Sequence, residues 1–325
     1  MNGARFKLVF LDAATLPQGL RFGAALPIDV EAHAATSDDR VAQRIADADV
    51  IVTNKVPLSA DALRGAPKLQ LICIAAAGTD NVDLQAAAQQ GIGVHNVPDY
   101  GSDAVAEHVI ATLLALRRGL ATYAQAAVDG RWSSAAQFCW HGPMIRDVGG
   151  SVLGVVGRGR IGEAAARLAR GLGLTVLFAR TPGQPCAEDE RELDALVREV
   201  DALTLHVPLT PQTRGLIGAE RLSAMKPTAV LINTGRGALV DPHALAQALR
   251  DGRIAGAAID VLEVEPPPPS HPLLARDIAN LLLTPHVAWA SEGAQRRLAA
   301  RLVEIVEAHL RRVIATGETA QTTAH

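Results

Sequence analysis

Short apolar runs alternate with Ala- and Leu-rich helical stretches along almost the whole chain. This alternation is typical of parallel sheets with helices on their faces. Four strands are predicted in the first hundred residues, at 6–11, 50–53, 70–74 and 92–95. Helical stretches such as 38–47 and 82–90 lie between them. Six further strands are predicted later in the chain, at 151–156, 174–179, 201–205, 228–232, 255–260 and 280–283.

Two long amphipathic helices complete the pattern. Apolar residues recur at three- and four-residue steps from Ser102 to Leu120 and again over about 291–315, which is the spacing of one helix face.

The length of 325 residues favours about two domains. Because the first hundred residues do not close as a separate partner, we expect a split domain of residues 1–100 plus 290–325, with residues 101–289 inserted as a second domain. The predicted fold class is α/β, with two doubly wound, Rossmann-like parallel sheets and a cleft between the domains.

The composition of the chain argues against several classes of binding partner. Charged residues make up 20% of the chain and the net charge is only −3, so no strong field attracts nucleic acid or an acidic membrane. No apolar run approaches the ~20 residues of a membrane span. The N-terminus lacks the apolar core and cleavage site of a signal peptide. Three widely spaced cysteines (Cys73, Cys139 and Cys186) form no metal-binding cluster and favour the reducing cytoplasm.

A glycine-rich turn follows the first strand of the later series. The segment Gly157-Arg158-Gly159-Arg160-Ile161-Gly162 separates an apolar strand from an Ala-rich helix. In such a turn the first glycine permits the tight bend, the second lets the backbone approach a pyrophosphate, and the third lets the helix pack on the strand. The helix N-terminus then offers N–H groups to the phosphates. The alternative, a glycine-rich turn without a nucleotide, is less consistent with this strand–turn–helix context.

The end of the next strand bears on the choice of nucleotide. An Asp or Glu there normally binds the adenosine ribose hydroxyls, but here the strand ends in Phe178-Ala179-Arg180-Thr181. A guanidinium can bind the 2′-phosphate of NADP through two hydrogen bonds. We therefore predict that NADP is preferred, with Arg180 and Thr181 on the 2′-phosphate and Arg158 assisting. The alternative is a solvated Arg180 in a protein that accepts NAD.

Three polar residues each follow a predicted buried strand: Arg236, Glu265 and His286. Ligands of open parallel sheets bind at the carboxyl ends of the strands. A cation, a carboxylate and an imidazole placed there together form an anion clamp beside a proton donor. Singly, Arg236 could cap a turn, Glu265 could be a solvated loop acid, and His286 could be a turn residue. Jointly, and beside a nucleotide loop, they predict a dehydrogenase of small 2-oxo or 2-hydroxy acids, in which Glu265 orients and charges the imidazole of His286.

These motifs resemble the D-isomer-specific 2-hydroxyacid dehydrogenases. The resemblance covers nearly the whole chain and rests on AAAGTDNVDL at 75–84, the glycine loop, HVPLTPQTRGLI at 206–217, MKPTAVLINTGRGALVD at 225–241, GAAIDVLEVEPP at 256–267 and LLLTPHVAWAS at 281–291. Within that family, NKV at 54–56, FC at 138–139 and WAS at 289–291 are most similar to the hydroxypyruvate reductase (glycerate dehydrogenase) branch. The departure from the family pattern is Arg180 in place of the acid.

The resemblance implies further site residues and an assembly. The backbone N–H groups of Ala77 and Gly78 would bind the substrate carboxylate together with Arg236 and His286. The implied cofactor contacts outside the glycine loop are Val207, Pro208, Thr234, Asp260, His286 and Trp289. The resemblance also implies a homodimer that forms through residues 102–145. The alternative function is a dinucleotide-sensing binding protein of the C-terminal-binding-protein corepressor type, which shares this fold and the same three residues.

Overall fold

The computed structural model describes residues 5–17, 19–24, 26–180, 183 and 187–316, so Thr181 and Cys186 lie outside the described residues. The chain divides into two compact units. The first unit contains residues 1–100 and 292–325, and the second contains residues 101–291.

The first unit is built on a parallel five-stranded sheet in the order β2-β1-β3-β4-β5. Its strands are β1 (Phe6–Phe10), β2 (Ile28–Ala32), β3 (Val50–Thr53), β4 (Leu71–Ile74) and β5 (Gly93–Asn96). Its shorter helices are α1 (Asp38–Ile45), α2 (Ala60–Arg64) and α3 (Leu84–Gln89). Both α2 and α3 have a capping side chain at their N-terminus: Ser59 accepts the backbone N–H of Ala62 in α2, and Asp83 accepts that of Ala86 in α3.

The long C-terminal helix of this unit, α10 (Glu292–Thr316), carries the predicted apolar stripe. Its buried members are Ala294, Leu298, Leu302, Val306, Leu310 and Val313. The three- and four-residue spacing places these side chains on one face, and that face packs against β4. The central strands β3 and β4 are entirely buried, as expected of a sheet covered on both faces.

The second unit is built on a parallel seven-stranded sheet in the order β12-β11-β10-β9-β6-β7-β8. Its strands are β6 (Val152–Val156), β7 (Thr175–Ala179), β8 (Glu190–Arg191), β9 (Ala202–Leu205), β10 (Val230–Asn233), β11 (Gly256–Ile259) and β12 (Leu281–Leu283). Its helices are α4 (Ser102–Arg118), α5 (Leu120–Val128), α6 (Arg160–Gly171), α7 (Leu193–Glu199), α8 (Ala219–Ala224) and α9 (Pro242–Arg250).

Helices cover both faces of this sheet. Along β10, Leu231 packs into one hydrophobic cluster with residues of α7, α8 and α9, whereas Val230 and Ile232 pack into another with residues of α4 and α6. Successive side chains of a strand point to opposite faces, so this division shows that the sheet is doubly wound. The α/β fold class with two Rossmann-like sheets is confirmed.

Three details differ from the sequence-based predictions. Strand β2 was missed because it is an edge strand that is mostly exposed and carries Asp29 and Glu31 among its apolar residues. The second sheet has seven strands rather than six, since the two-residue β8 is too short to produce a pattern. The helix predicted to reach Leu120 ends at Arg118 instead. Gly119 adopts a left-handed conformation with φ of 62°, which terminates α4 and starts α5.

Within the described residues, no helix combines the length and apolar character that crossing a membrane requires.

Candidate active site

The strand order of the second unit places the ends of β10, β11 and β12 side by side. In the register of these parallel strands, Asn233 of β10 pairs with Ile259 of β11, which pairs with Leu283 of β12. The segments that follow these three residues carry Arg236, Glu265 and His286. The three predicted residues therefore leave the same edge of the sheet from three adjacent strands.

Glu265 and His286 are in direct contact. The imidazole Nδ1 lies 2.6 Å from Glu265 Oε2. Because a carboxylate only accepts hydrogen bonds, Nδ1 carries the proton of this contact and Nε2 is the nitrogen left to act on a ligand. The other carboxylate oxygen, Oε1, accepts the backbone N–H of Leu262 at 2.8 Å. Both of these side chains are about one-third exposed or less, at 27% for His286 and 33% for Glu265.

The loop that carries His286 has an unusual backbone conformation. His286 has a φ of 54°, which falls in the left-handed region that few non-glycine residues adopt. Its backbone N–H donates to the carbonyl oxygens of Asp260, at 2.8 Å, and Thr284, at 3.0 Å. Such conformations persist where the surrounding contacts hold them and are concentrated at active sites. These bonds, to the residues that directly follow β11 and β12, thus hold the backbone that directs the imidazole.

Arg236 is held by its own turn. Asn233, which is completely buried, donates from its amide to the carbonyl oxygen of Arg236 at 2.9 Å and accepts the N–H of Gly235 at 3.1 Å. A Cβ atom at Gly237 would lie 2.0 Å from the carbonyl carbon of Leu262, so only glycine allows this close approach of the two segments. Sequence reasoning missed the role of Asn233. The signal for it was a polar amide closing an otherwise apolar strand.

The three glycines of the nucleotide loop have different surroundings. Gly157 has a φ of 105°, and a Cβ there would lie 2.5 Å from the carbonyl oxygen of His206. A Cβ at Gly162 would lie 2.1 Å from the carbonyl oxygen of Gly157. Gly159, directly before α6, has no heavy atom within 4 Å of the same point. The first and third glycines are thus needed for the turn and for packing, and the second leaves the opening that a pyrophosphate would fill.

A second feature fits a bound dinucleotide. The hydroxyl oxygen of Thr234, just beyond β10, is buried and has no hydrogen-bond partner among the described residues. Buried polar atoms are rarely left without a partner, and an unpaired one indicates a site for a missing ligand or water. Arg160 and Ile161 begin α6 beside Gly159. The remaining predicted cofactor residues follow strand ends of the same sheet: Val207 and Pro208 follow β9, Asp260 follows β11, and Trp289 follows β12.

The predicted nucleotide-selecting arginines are already paired with acidic side chains. Arg180, directly after β7, forms an ion pair with Glu192. Arg158 donates to Glu163 at 2.8 Å and to Asp189 at 3.0 Å, and its guanidinium lies 4.3 Å from the centre of the Phe178 ring. The hydrogen bonds to Asp189 and then Glu163 raise the pKa of Arg158. Arg180 thus lies at the end of β7 and Arg158 packs on Phe178 of that strand, and both have acidic partners.

Ala77 and Gly78 belong to the first unit, in the segment after β4. Ala77 is exposed, and Gly78 lines a cavity of about 570 Å³ with Lys55 and Asn81 of the same unit. Their predicted contact with a substrate carboxylate stays a prediction.

Comparisons with known proteins give consistent results. The family model described as "D-isomer specific 2-hydroxyacid dehydrogenase, NAD binding domain" matches residues 110–288. A glycerate dehydrogenase of Methylorubrum extorquens is 44% identical over 304 residues, covering 93% of this chain and 95% of that protein.

Two solved structures extend the similarity to the fold. The TT0316 protein of Thermus thermophilus has a TM-score of 0.82 at 35% identity, covering 94% of this chain and 97% of its own. An NADPH-dependent glyoxylate/hydroxypyruvate reductase of Sinorhizobium meliloti, solved with NADP and malonate, has a TM-score of 0.75 at 30% identity. The match covers 97% of this chain and 96% of that one.

Proposed function

Because this chain belongs to the D-isomer-specific 2-hydroxyacid dehydrogenase family, we propose that it reduces hydroxypyruvate, glyoxylate or a closely related 2-oxo acid. Within that family it matches the branch of hydroxypyruvate reductases and glycerate dehydrogenases. The protein is an NAD(P)-dependent oxidoreductase of small 2-oxo and 2-hydroxy acids. The observation that carries the proposal is the 2.6 Å contact between His286 and Glu265 at the shared carboxyl edge of β10, β11 and β12.

His286 is the proposed proton donor. Its Nδ1–H is held by Glu265, so Nε2 is the atom that delivers a proton to the substrate carbonyl oxygen as negative charge builds there. The bound nicotinamide supplies the hydride. In the reverse direction, Nε2 takes the proton from the substrate hydroxyl. Glu265 keeps the ring in one orientation and stabilises the imidazolium, which is the form that donates.

Arg236 is the proposed anchor for the substrate carboxylate. A guanidinium forms charge-assisted, two-pronged hydrogen bonds to a carboxylate and so fixes the position of the neighbouring carbonyl. We propose, from the family resemblance, that the backbone N–H groups of Ala77 and Gly78 bind the same carboxylate. Asp260, Thr234, Val207, Pro208 and Trp289 are the proposed contacts to the cofactor besides the glycine loop.

NADP is the proposed preferred cofactor, with NAD as the alternative. The acid that would bind the adenosine ribose in an NAD enzyme is missing from the end of β7, and Arg180 stands in its place. A phosphate dianion can replace Glu192 as the partner of Arg180, and Arg158 of the glycine loop packs on Phe178, two residues before Arg180. The similarity to an NADPH-dependent reductase supports this proposal.

One panel of assays tests both substrate and cofactor. The protein is incubated with NADPH or NADH and with hydroxypyruvate, glyoxylate, pyruvate or phenylpyruvate, and absorbance is followed at the nicotinamide band. We expect the largest kcat/KM for hydroxypyruvate or glyoxylate with NADPH. No consumption with any pair would refute the enzymatic proposal and favour a dinucleotide-sensing binding protein.

A charge reversal tests the cofactor assignment. Arg180→Asp is expected to lower kcat/KM for NADPH at least tenfold while leaving NADH within a few-fold, because a carboxylate repels the 2′-phosphate. Arg167→Asp is the matched control, since Arg167 is an exposed arginine of α6 that pairs with Asp103. An unchanged NADPH/NADH ratio in Arg180→Asp would exclude Arg180 as the discriminating residue.

We also propose a cytoplasmic homodimer that forms through residues 102–145. Large apolar side chains are exposed in this segment, with Phe138 at 92% and Val128 at 80%. Exposed apolar area of this kind marks an interaction surface. Phe138→Asp should shift the sedimentation of the protein toward the monomer, whereas Val30→Asp, at an exposed apolar position of β2, should not. A monomeric wild-type protein would contradict the assignment.

A further inference from the structure

A chain of side-chain hydrogen bonds runs from α4 to the loop that carries His286. His108 Nε2, on α4, lies 3.3 Å from Thr284 Oγ1. Thr284 Oγ1 in turn lies 2.6 Å from Asp260 Oδ1. His108 lies in the middle of α4, and none of the sequence motifs gives it or Thr284 a role. The structure links both to a residue at the edge of the active site.

The chemistry of the three groups fixes the direction of this chain. A carboxylate only accepts hydrogen bonds, so the hydroxyl proton of Thr284 points to Asp260. With its single proton committed, Thr284 Oγ1 can only accept from His108, whose Nε2 must therefore carry a proton. The chain thus runs from the His108 N–H through the Thr284 O–H to Asp260.

Asp260 also binds the loop beyond His286. It is only 3% exposed. Its Oδ1 accepts the backbone N–H of Val287 at 2.9 Å, and its Oδ2 accepts that of Ala288 at 2.9 Å. Its carbonyl oxygen accepts the N–H of His286 itself. Asp260 therefore accepts the backbone N–H groups of His286, whose φ is positive, and of the two residues that follow it. The orientation of its carboxylate thus sets the conformation of this loop.

We propose that Thr284 and His108 are positioning residues for His286, acting through Asp260. By fixing the carboxylate of Asp260 they hold the 286–288 backbone in the conformation that directs the imidazole. This inference rests on the proposed function, in which His286 is the proton donor. Neither residue is assigned a contact with substrate or cofactor.

Isosteric replacement isolates the hydroxyl of Thr284. Thr284→Val keeps the shape and removes the hydrogen bonds, whereas Thr284→Ser keeps the hydroxyl. A displacement of about 1 Å at a reacting group can cost on the order of a hundredfold in rate. We expect Thr284→Val to lower kcat by roughly ten- to a hundredfold with the KM for the 2-oxo acid changed much less, and Thr284→Ser to recover most of the loss.

Thr112→Val is the matched control. Thr112 is a threonine of the same unit, one turn along α4 from His108, and its hydroxyl donates to the helix carbonyl oxygens of His108 and Val109. A loss of kcat in Thr112→Val equal to that in Thr284→Val, or no recovery in Thr284→Ser, would overturn the proposal. A purely structural role would lower stability and kcat together, without the recovery.

A readout independent of activity separates this inference from the proposed function. The ring nitrogens of His108 can be observed by NMR, with the resonances assigned by comparison with His108→Gln. In the wild type we expect a proton on His108 Nε2 that is protected from exchange with solvent. In Thr284→Val we expect that proton to exchange faster. A neutral His108 protonated on Nδ1 would refute the hydrogen-bonded chain. Failure of the wild type to reduce any 2-oxo acid would instead refute the proposed function and leave this result standing.

Discussion

The two alanine substitutions Gly159→Ala and Gly162→Ala should separate cofactor binding from folding. Both change the same loop by one methyl group. At Gly159 the added Cβ would meet nothing within 4 Å, whereas at Gly162 it would lie 2.1 Å from a backbone oxygen and 3.2 Å from a methyl group of Val155. The first methyl therefore occupies space that only a ligand would use, and the second occupies space already filled by the protein.

The expected stability changes follow from these surroundings. Gly159 has φ of −81° and ψ of −175°, an extended conformation that alanine adopts without strain. Alanine restricts the unfolded chain, which would stabilise Gly159→Ala by about 0.4–1 kcal/mol. Gly159 is also the N-cap of α6, where replacing glycine by alanine would cost about the same. The net change should lie within about 1 kcal/mol of zero. In Gly162→Ala a backbone segment must move, and such overpacking costs about 1–3 kcal/mol or more.

Cofactor binding, unlike stability, should be weakened by the Gly159→Ala substitution. Gly159→Ala should raise the Kd for NADPH at least tenfold, equivalent to about 1.4 kcal/mol, because the methyl group keeps the pyrophosphate from the helix N-terminus. Titration of nicotinamide fluorescence measures Kd, and thermal denaturation without cofactor measures Tm. We expect Gly159→Ala to keep the wild-type Tm and Gly162→Ala to lower it by several degrees. A Gly159→Ala protein that binds NADPH as tightly as the wild type would refute the assignment of the loop.

Three further outcomes are expected. His286→Ala should lower kcat by about 10²–10⁴-fold, as expected for loss of a general acid, and a loss below tenfold would point to another proton donor. Arg236→Ala should raise the KM for the 2-oxo acid and lower kcat together, costing roughly ten- to a hundredfold in kcat/KM; an unchanged kcat/KM would remove Arg236 from the mechanism. Burial lowers the pKa of His206 from 6.5 to about 4, so between these values the unfolded chain binds a proton that the native protein does not. The free energy of unfolding should therefore fall as pH drops below 6.5, by up to about 2 kcal/mol at pH 5, and less if the partly exposed ring is screened. Urea denaturation at pH 7.5 and 5 measures this contribution as the difference between wild type and His206→Gln, and a difference that does not change with pH would contradict it.

The sequence determined the features that depend on local spacing. Apolar runs of four to six residues predicted the buried strands of both sheets, and the stripe from Leu298 to Val313 predicted the face of α10 that is buried. The nucleotide loop was predictable because its three spaced glycines lie between an apolar strand and an Ala-rich helix. Cys73 lies in the apolar run of β4 and is fully buried, and burial raises its pKa to about 12.

Only the tertiary structure decided how distant segments meet. Arg236, Glu265 and His286 are separated in sequence, and their common position follows from the strand order β10-β11-β12 and its register. The left-handed conformation of His286 and the support that it receives from Asp260, Thr284 and His108 depend on contacts across 24 to 176 residues, which no local pattern contains. Spacing along the chain sets which face of an element is apolar, whereas the direction of a catalytic side chain is set by hydrogen bonds that exist only after the elements have packed.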